Sequence, residues 1–385
     1  MILRNATLAN GSRHDIELND GRIAAFLPPS NEGPSLIVLP PLVDGHIHLD
    51  KTLLGLPWVP NRAEGNAVSD RIAAERRVRA ERSVPETVTG SNLVKQVVTS
   101  GTLHMRTHVD IDNQLGLRNL NAILEVRERF RDLVTIEIVA FPQSGILRSP
   151  GTAALLDEAA ASGADLIGGL DPVGIDGDLA GQLDPVFASA GRHGKGIDIH
   201  LHDGGEADLA QIDDIAERTV AGGLQGEVAV SHAFALGSVP LDMARRTADR
   251  LARAGVAIMN HGPGAAPMPP LMMLAEHGVR VFSGSDNIRD AWSPFGNGDM
   301  LERAMLIGYR GNYRRDEELA FTLDLVTTNA AKVLGVEDYG LRVDGPADLI
   351  VVEAGTVAEA VATRPRRQMV IKAGHVVARD GVLVS

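Results

Sequence analysis

The chain is 385 residues long, 44% hydrophobic and 23% charged, a globular balance, and no apolar run approaches the ~18 residues that a membrane helix needs. A formal net charge of −13 argues against a phosphate-backbone partner, so neither nucleic acid nor a membrane is an expected partner. The absence of cysteine excludes disulfides and thiolate metal sites, which leaves imidazole and carboxylate as protein ligands for any transition metal.

The N-terminus, Met1-Ile2-Leu3-Arg4-Asn5, has no basic segment feeding a long apolar stretch and no small-residue cleavage site, so a soluble, cytoplasmic protein is expected. Residues 1–40 read as short strands with turn signals such as Asn19-Asp20-Gly21-Arg22. Residues 340–385 do the same, with Val343-Asp344-Gly345-Pro346 and Asp380-Gly381. Neither end is long enough to bury a core alone. A small β-sandwich built from both is expected, which requires the termini to pair across the domain between them.

That domain, residues 41–339, carries eight short β-rich runs: Val43–His48, Leu103–Val109, Val134–Phe141, Ala164–Leu170, Ile197–His202, Glu227–His232, Val256–Asn260 and Val279–Ser283. From the second onward they recur at about one strand–helix unit, roughly thirty residues. The stretches between them have helical periodicity, as in Leu117–Phe130 and Leu209–Ala221. Alternation of this kind predicts an α/β fold, a (β/α)8 TIM-type barrel. The longest interval, Asn66–Val98, predicts a charged amphipathic helical segment that covers the barrel mouth or forms an inserted helix.

Functional side chains of such a barrel sit at the C-terminal ends of its strands. The first run ends in His46-Ile47-His48, and a period of two points both imidazoles to one side, spaced to grip one ion. His108, His200, His202, His232 and His261 end later runs, so seven of the twelve histidines share one rim. His14, His104, His193, His277 and His375 lie away from it and receive no role. Asp286, at the last run, is suited to coordinate an ion and to accept a proton from its water, because a dication lowers the pKa of that water. His232 is placed to hold the water or the developing oxyanion, and Asp203 to pass a proton to the leaving group.

Val43-Asp44-Gly45-His46-Ile47-His48-Leu49-Asp50-Lys51-Thr52, together with the aspartate of the last strand, resembles the signature of the amidohydrolase superfamily. His104–Asp110, Val139–Ile146 and Ser283–Gly296 resemble, more narrowly, cytosine deaminase and its relatives, a group that includes hydrolases of triazines and other cyclic amidines. The resemblance implies that His46, His48, His200 and Asp286 bind one divalent metal ion per chain, zinc or iron, and that His232 contacts the attacking water. It implies that Gln143 binds the amide edge of the substrate and that Trp292 forms a pocket wall.

The chain departs from cytosine deaminases at two places. They carry His-x-x-Glu at the fifth strand where this chain has His200-Leu201-His202-Asp203, so the proton shuttle is Asp203, His202 or Glu206. Asn287 replaces a second aspartate at the substrate pocket. The expected activity is metal-dependent hydrolysis of a carbon–nitrogen bond, deaminating a cyclic amidine such as cytosine or a related pyrimidine or triazine. Cleavage of a ring amide or of an N-substituted amine on a related ring is the alternative, and a catalytically silent barrel that binds small molecules is the reading from another class. A dinuclear cyclic amidase would need a lysine on the fourth strand, and Ala164–Leu170 has none. The expected partner is a small cyclic nitrogenous substrate, and a homo-oligomer is compatible with this reading.

Overall fold

The computed structural model describes residues 1–30 and 36–384. Four strands, β1 (Ile2–Thr7), β2 (Arg13–Asn19), β3 (Arg22–Leu27) and β4 (Leu36–Leu39), precede the barrel. The eight expected runs form β5 (Leu42–Ile47), β6 (Thr102–Asp110), β7 (Thr135–Phe141), β8 (Leu166–Leu170), β9 (Gly196–Leu201), β10 (Val228–His232), β11 (Ala257–Met259) and β12 (Val281–Phe282). They pair in parallel in strict sequence order. Among the described residues no helix is long and apolar enough to cross a membrane.

Closure comes from the segment after β12. The Gly45 amide donates to the Ser283 carbonyl at 3.0 Å and the Asp286 amide to the His46 carbonyl at 2.7 Å. Two glycines permit this approach. A Cβ on Gly284 would lie 2.4 Å from the His46 nitrogen, and one on Gly45 would strike the Phe282 ring at 2.4 Å.

The chain ends join in one eight-stranded mixed sheet that continues with β13 (Leu349–Val352), β14 (Arg367–Lys372), β15 (His375–Arg379) and β16 (Val382–Leu383). The seam is antiparallel, with Ile350 opposite Leu39, Val351 opposite Val38 and Val352 opposite Ile37. Leu3, Ile16, Ile23, Val38, Leu349 and Ile371 fill its buried face. The termini thus bury together the apolar surface that neither buries alone.

The expected helical segment is two helices, α1 (Val68–Glu81) and α2 (Glu86–Thr99), and α1 lacks an apolar stripe. Its buried residues are Ile72, Ala74 and Glu75. Ion pairs to the barrel mouth dock it, so periodic hydrophobicity is not what its sequence displays. Glu75 Oε1 meets Arg79 at 2.7 Å, and Arg79 reaches Asp110 on β6 at 3.2 Å.

Candidate active site

Side chains at the C-terminal rim of the barrel converge on one buried point. His46 comes from β5, His48 lies one residue beyond it, His200 is on β9, His232 ends β10, and His261 and Asp286 follow β11 and β12. Asp286 Oδ1 is 3.2 Å from His48 Nε2 and 3.7 Å from His46 Nε2, while its Oδ2 is 3.5 Å from His261 Nε2. The ring centres of His46 and His200 lie 4.6 Å apart.

These groups fit a divalent ion. His46, His48 and His200 offer nitrogens within 4.8 Å of one another, and His46, His232 and Asp286 form a second such set. His46 Nε2 and both nitrogens of His200 are buried without a protein hydrogen-bond partner, which a buried polar atom rarely tolerates. Burial and neighbouring imidazoles hold His46, His200 and His232 well below the ordinary histidine range, so each presents a lone pair. Burial and Lys51 push His48 down to about 4. Burial opposes ionisation of Asp286, yet His261, His48 and His232 hold its carboxyl well below the usual range. The donor set of imidazole nitrogen and carboxylate oxygen suits zinc or ferrous iron.

His202, one of three shuttle candidates, stacks on His232 at 4.3 Å, and Asp171 accepts from it at both backbone and ring, at 2.6 and 2.8 Å. Against the effect of burial, the Asp171 carboxylate raises the His202 pKa above its ordinary value. Asp203 turns aside: its carboxylate occupies the space in front of Gly174, where a Cβ would lie 2.2 Å from Oδ2. Burial, Asp171 and Asp208 push Asp203 up to about 6. Glu206 is exposed at the first position of the helix Glu206–Ala221.

Gln143 lies at the mouth of β7 with both amide hydrogens taken and one lone pair of its oxygen left: Oε1 accepts one bond, from Lys51 Nζ, and Nε2 donates to Glu75 at 2.6 Å and Asp110 at 3.1 Å. Trp292 donates from Nε1 to the same Glu75 oxygen at 2.6 Å, and Lys51 sits over its ring at 5.4 Å. Asn287 donates to Asp290 Oδ2 at 2.6 Å, away from the histidines. Sequence reasoning gave no role to Lys51, Glu75 or Asp171. Lys51 stood inside the first motif, but a lysine three residues past a histidine pair carries no signal until α1 buries it.

Three of the site's residues, Asp171 (φ 36°), His232 (φ 69°) and Asp286 (φ 61°), adopt the left-handed region, which is uncommon outside glycine although asparagine, aspartate and histidine enter it more readily than other residues.

Residues 36–378 match the model of the amidohydrolase family. The N-isopropylammelide isopropyl amidohydrolase of Pseudomonas sp. (strain ADP) is 30% identical over 400 residues, spanning 100% of this chain and 98% of that protein. The structure of N-isopropylammelide isopropylaminohydrolase from Burkholderia multivorans superposes with a TM-score of 0.94 at 43% identity, over 100% of this chain and 99% of that one. A 5-methylcytosine deaminase from Klebsiella pneumoniae, liganded with 5-fluorocytosine, gives a TM-score of 0.87 at 26% identity, over 98% and 97% of the two chains.

Proposed function

The chain belongs to the amidohydrolase family, whose members here hydrolyse carbon–nitrogen bonds, and from that premise we propose a mononuclear aminohydrolase that removes an alkylamine from a nitrogen-rich ring of the N-isopropylammelide type. The observation that carries this reading over cytosine deamination is the fifth strand. The position three past His200 holds Asp203, turned against Gly174, and His202 stands beside His232 in its place. That arrangement accompanies whole-length similarity to two enzymes named for N-isopropylammelide.

In this reading His46, His48, His200 and Asp286 would hold one divalent ion, zinc or iron, which would supply the lowering of a water's pKa toward neutrality. His232 orients that water from β10, and Asp286 Oδ2 accepts its first proton. His202, held by Asp171, delivers a proton to the leaving nitrogen. A carbon–oxygen bond forms, the exocyclic carbon–nitrogen bond breaks, and the amine leaves carrying a proton that came from water. Lys51 and Gln143 offer donors and an acceptor to the ring edge, and Trp292 walls the pocket.

Metal-replete protein incubated separately with N-isopropylammelide, cytosine and 5-methylcytosine tests this, with isopropylamine and ammonia quantified. Isopropylamine release at a kcat/KM at least tenfold above the ammonia-forming reactions is expected. Ammonia from cytosine with no isopropylamine from the triazine would overturn the substrate assignment.

A further inference from the structure

Below the candidate metal site the barrel interior is polar. Ser231, on β10, lies 3.0 Å by Oγ from His46 Nδ1 and donates its one hydroxyl proton to Asp198 Oδ1 on β9 at 2.7 Å. Asp198 Oδ2 accepts from Arg106 Nη1 at 3.0 Å, and Arg106 Nε donates to Glu137 at 2.6 Å. His46, Ser231, Asp198 and Arg106 are all buried, and Glu137 lines a cleft of about 220 Å³ at the opposite end of the barrel from the rim.

The proton count along this row has one solution. A carboxylate paired with a guanidinium has acceptors only, so the Ser231 hydroxyl proton goes to Asp198. A hydroxyl has one proton, so toward His46 the Ser231 oxygen accepts. His46 Nδ1 therefore carries hydrogen, and the lone pair of the neutral ring falls on Nε2. Nε2 is the atom that faces Asp286 and has no protein partner.

We propose that Ser231 and Asp198, with Arg106 behind them, are positioning residues that fix the Nδ1–H tautomer and ring orientation of His46, so that Nε2 is presented to the ion before the ion arrives. The inference rests on the reading of His46 as a metal ligand and extends it to residues that touch neither metal nor substrate. His46, His108 and Asp198 also lie close enough to hold an ion, but both Asp198 oxygens are taken, Oδ1 by Ser231 at 2.7 Å and Oδ2 by Arg106 at 3.0 Å.

Two measurements test the relay. In metal-free wild-type protein with 15N-labelled histidine, NMR is expected to show His46 protonated at Nδ1; protonation at Nε2 overturns the proposal. By chelator competition, Ser231→Ala is expected to bind zinc roughly 10–100-fold more weakly, with Ser231→Thr, which keeps the hydroxyl, restored to within a few-fold. Wild-type zinc affinity in a folded Ser231→Ala protein, with only thermal stability reduced, reduces Ser231 to a packing residue and overturns the proposal. If Ser231→Ala does not fold, the wild-type tautomer alone decides. Failure of the wild type to bind zinc or ferrous iron counts against the metal reading, and the tautomer still decides the relay.

Discussion

Asp286 and His46 meet twice, once through a backbone hydrogen bond of 2.7 Å that helps close the barrel and once where their side-chain atoms come within 3.7 Å at the candidate metal site. Closure of the fold and assembly of the ligand set are therefore the same event. Asp286→Asn separates them, because asparagine tolerates the left-handed backbone and keeps the amide that bonds His46. The variant is expected to keep its far-UV circular dichroism and lose most of its metal in elemental analysis. Full metal occupancy in that variant would remove Asp286 from the ligand set.

His202 and Asp203 are separable as proton carriers. His202→Asn, which retains a donor toward Asp171, is expected to keep its metal and lose on the order of 10²–10⁴ in kcat. Asp203→Asn is expected to stay within about tenfold of wild type, since its carboxylate faces Gly174. The reverse ranking would return the shuttle to Asp203.

Burial pushes Asp290 up to about 7, although the Trp292 and Ser293 amides each donate to it at 2.8 Å. The folded state therefore binds this proton more tightly than the unfolded chain, in which the group titrates near ~3.9. Its contribution to stability is greatest below that value and falls as pH rises toward 7, by a few kcal/mol at most (about 1.4 per unit). Asp290→Asn keeps the acceptor for both amides. It should flatten the difference in urea-unfolding free energy between pH 4.5 and pH 7.5, and an unchanged difference would show that Asp290 does not titrate in that window.

Glu75 joins α1 to Lys51, Gln143 and Trp292 and pairs with Arg79 one turn along the same helix. Glu75→Ala leaves two buried cations short of a carboxylate and is expected to destabilise the protein by about 3–5 kcal/mol. Loss of the indole partner should also shift the fluorescence of Trp292, one of only two tryptophans. A change below about 1 kcal/mol in chemical denaturation would mean that α1 is held by its apolar residues instead.

Gln143→Ala is expected to lower kcat/KM by an amount equivalent to about 1–3 kcal/mol on the preferred triazine, by leaving a ring edge and Lys51 without their acceptor. Steady-state kinetics with unchanged kcat/KM would place Gln143 in a purely architectural role.

The barrel was readable because parallel strands buried on both faces are short, apolar and evenly spaced, and because a rim histidine interrupts an apolar run conspicuously. Pairing of the termini followed from arithmetic on core size, and β4 against β13 realises it. Charge that the fold buries was not readable. Asp198 alternates with Ile197 and Ile199 as an outward-facing residue would, yet it meets Arg106 inside the barrel. Glu75 and Arg79 look like a solvated helix face until Lys51 and Asp110 are placed beneath them. Such pairs join positions far apart in the chain, and local periodicity carries no information about them.

The left-handed backbone at Asp171, His232 and Asp286 sets stability against activity in this chain. Each such residue costs on the order of 1–3 kcal/mol, which glycine at the same position would largely relieve. In metal-free protein sorted for heat tolerance alone, the strain at His232 and Asp286 is therefore open to relief by glycine, whereas Asp171 is retained by the two hydrogen bonds it accepts from His202, and such selection drifts toward empty barrels. Engineering this scaffold for longevity requires selection on turnover in every round.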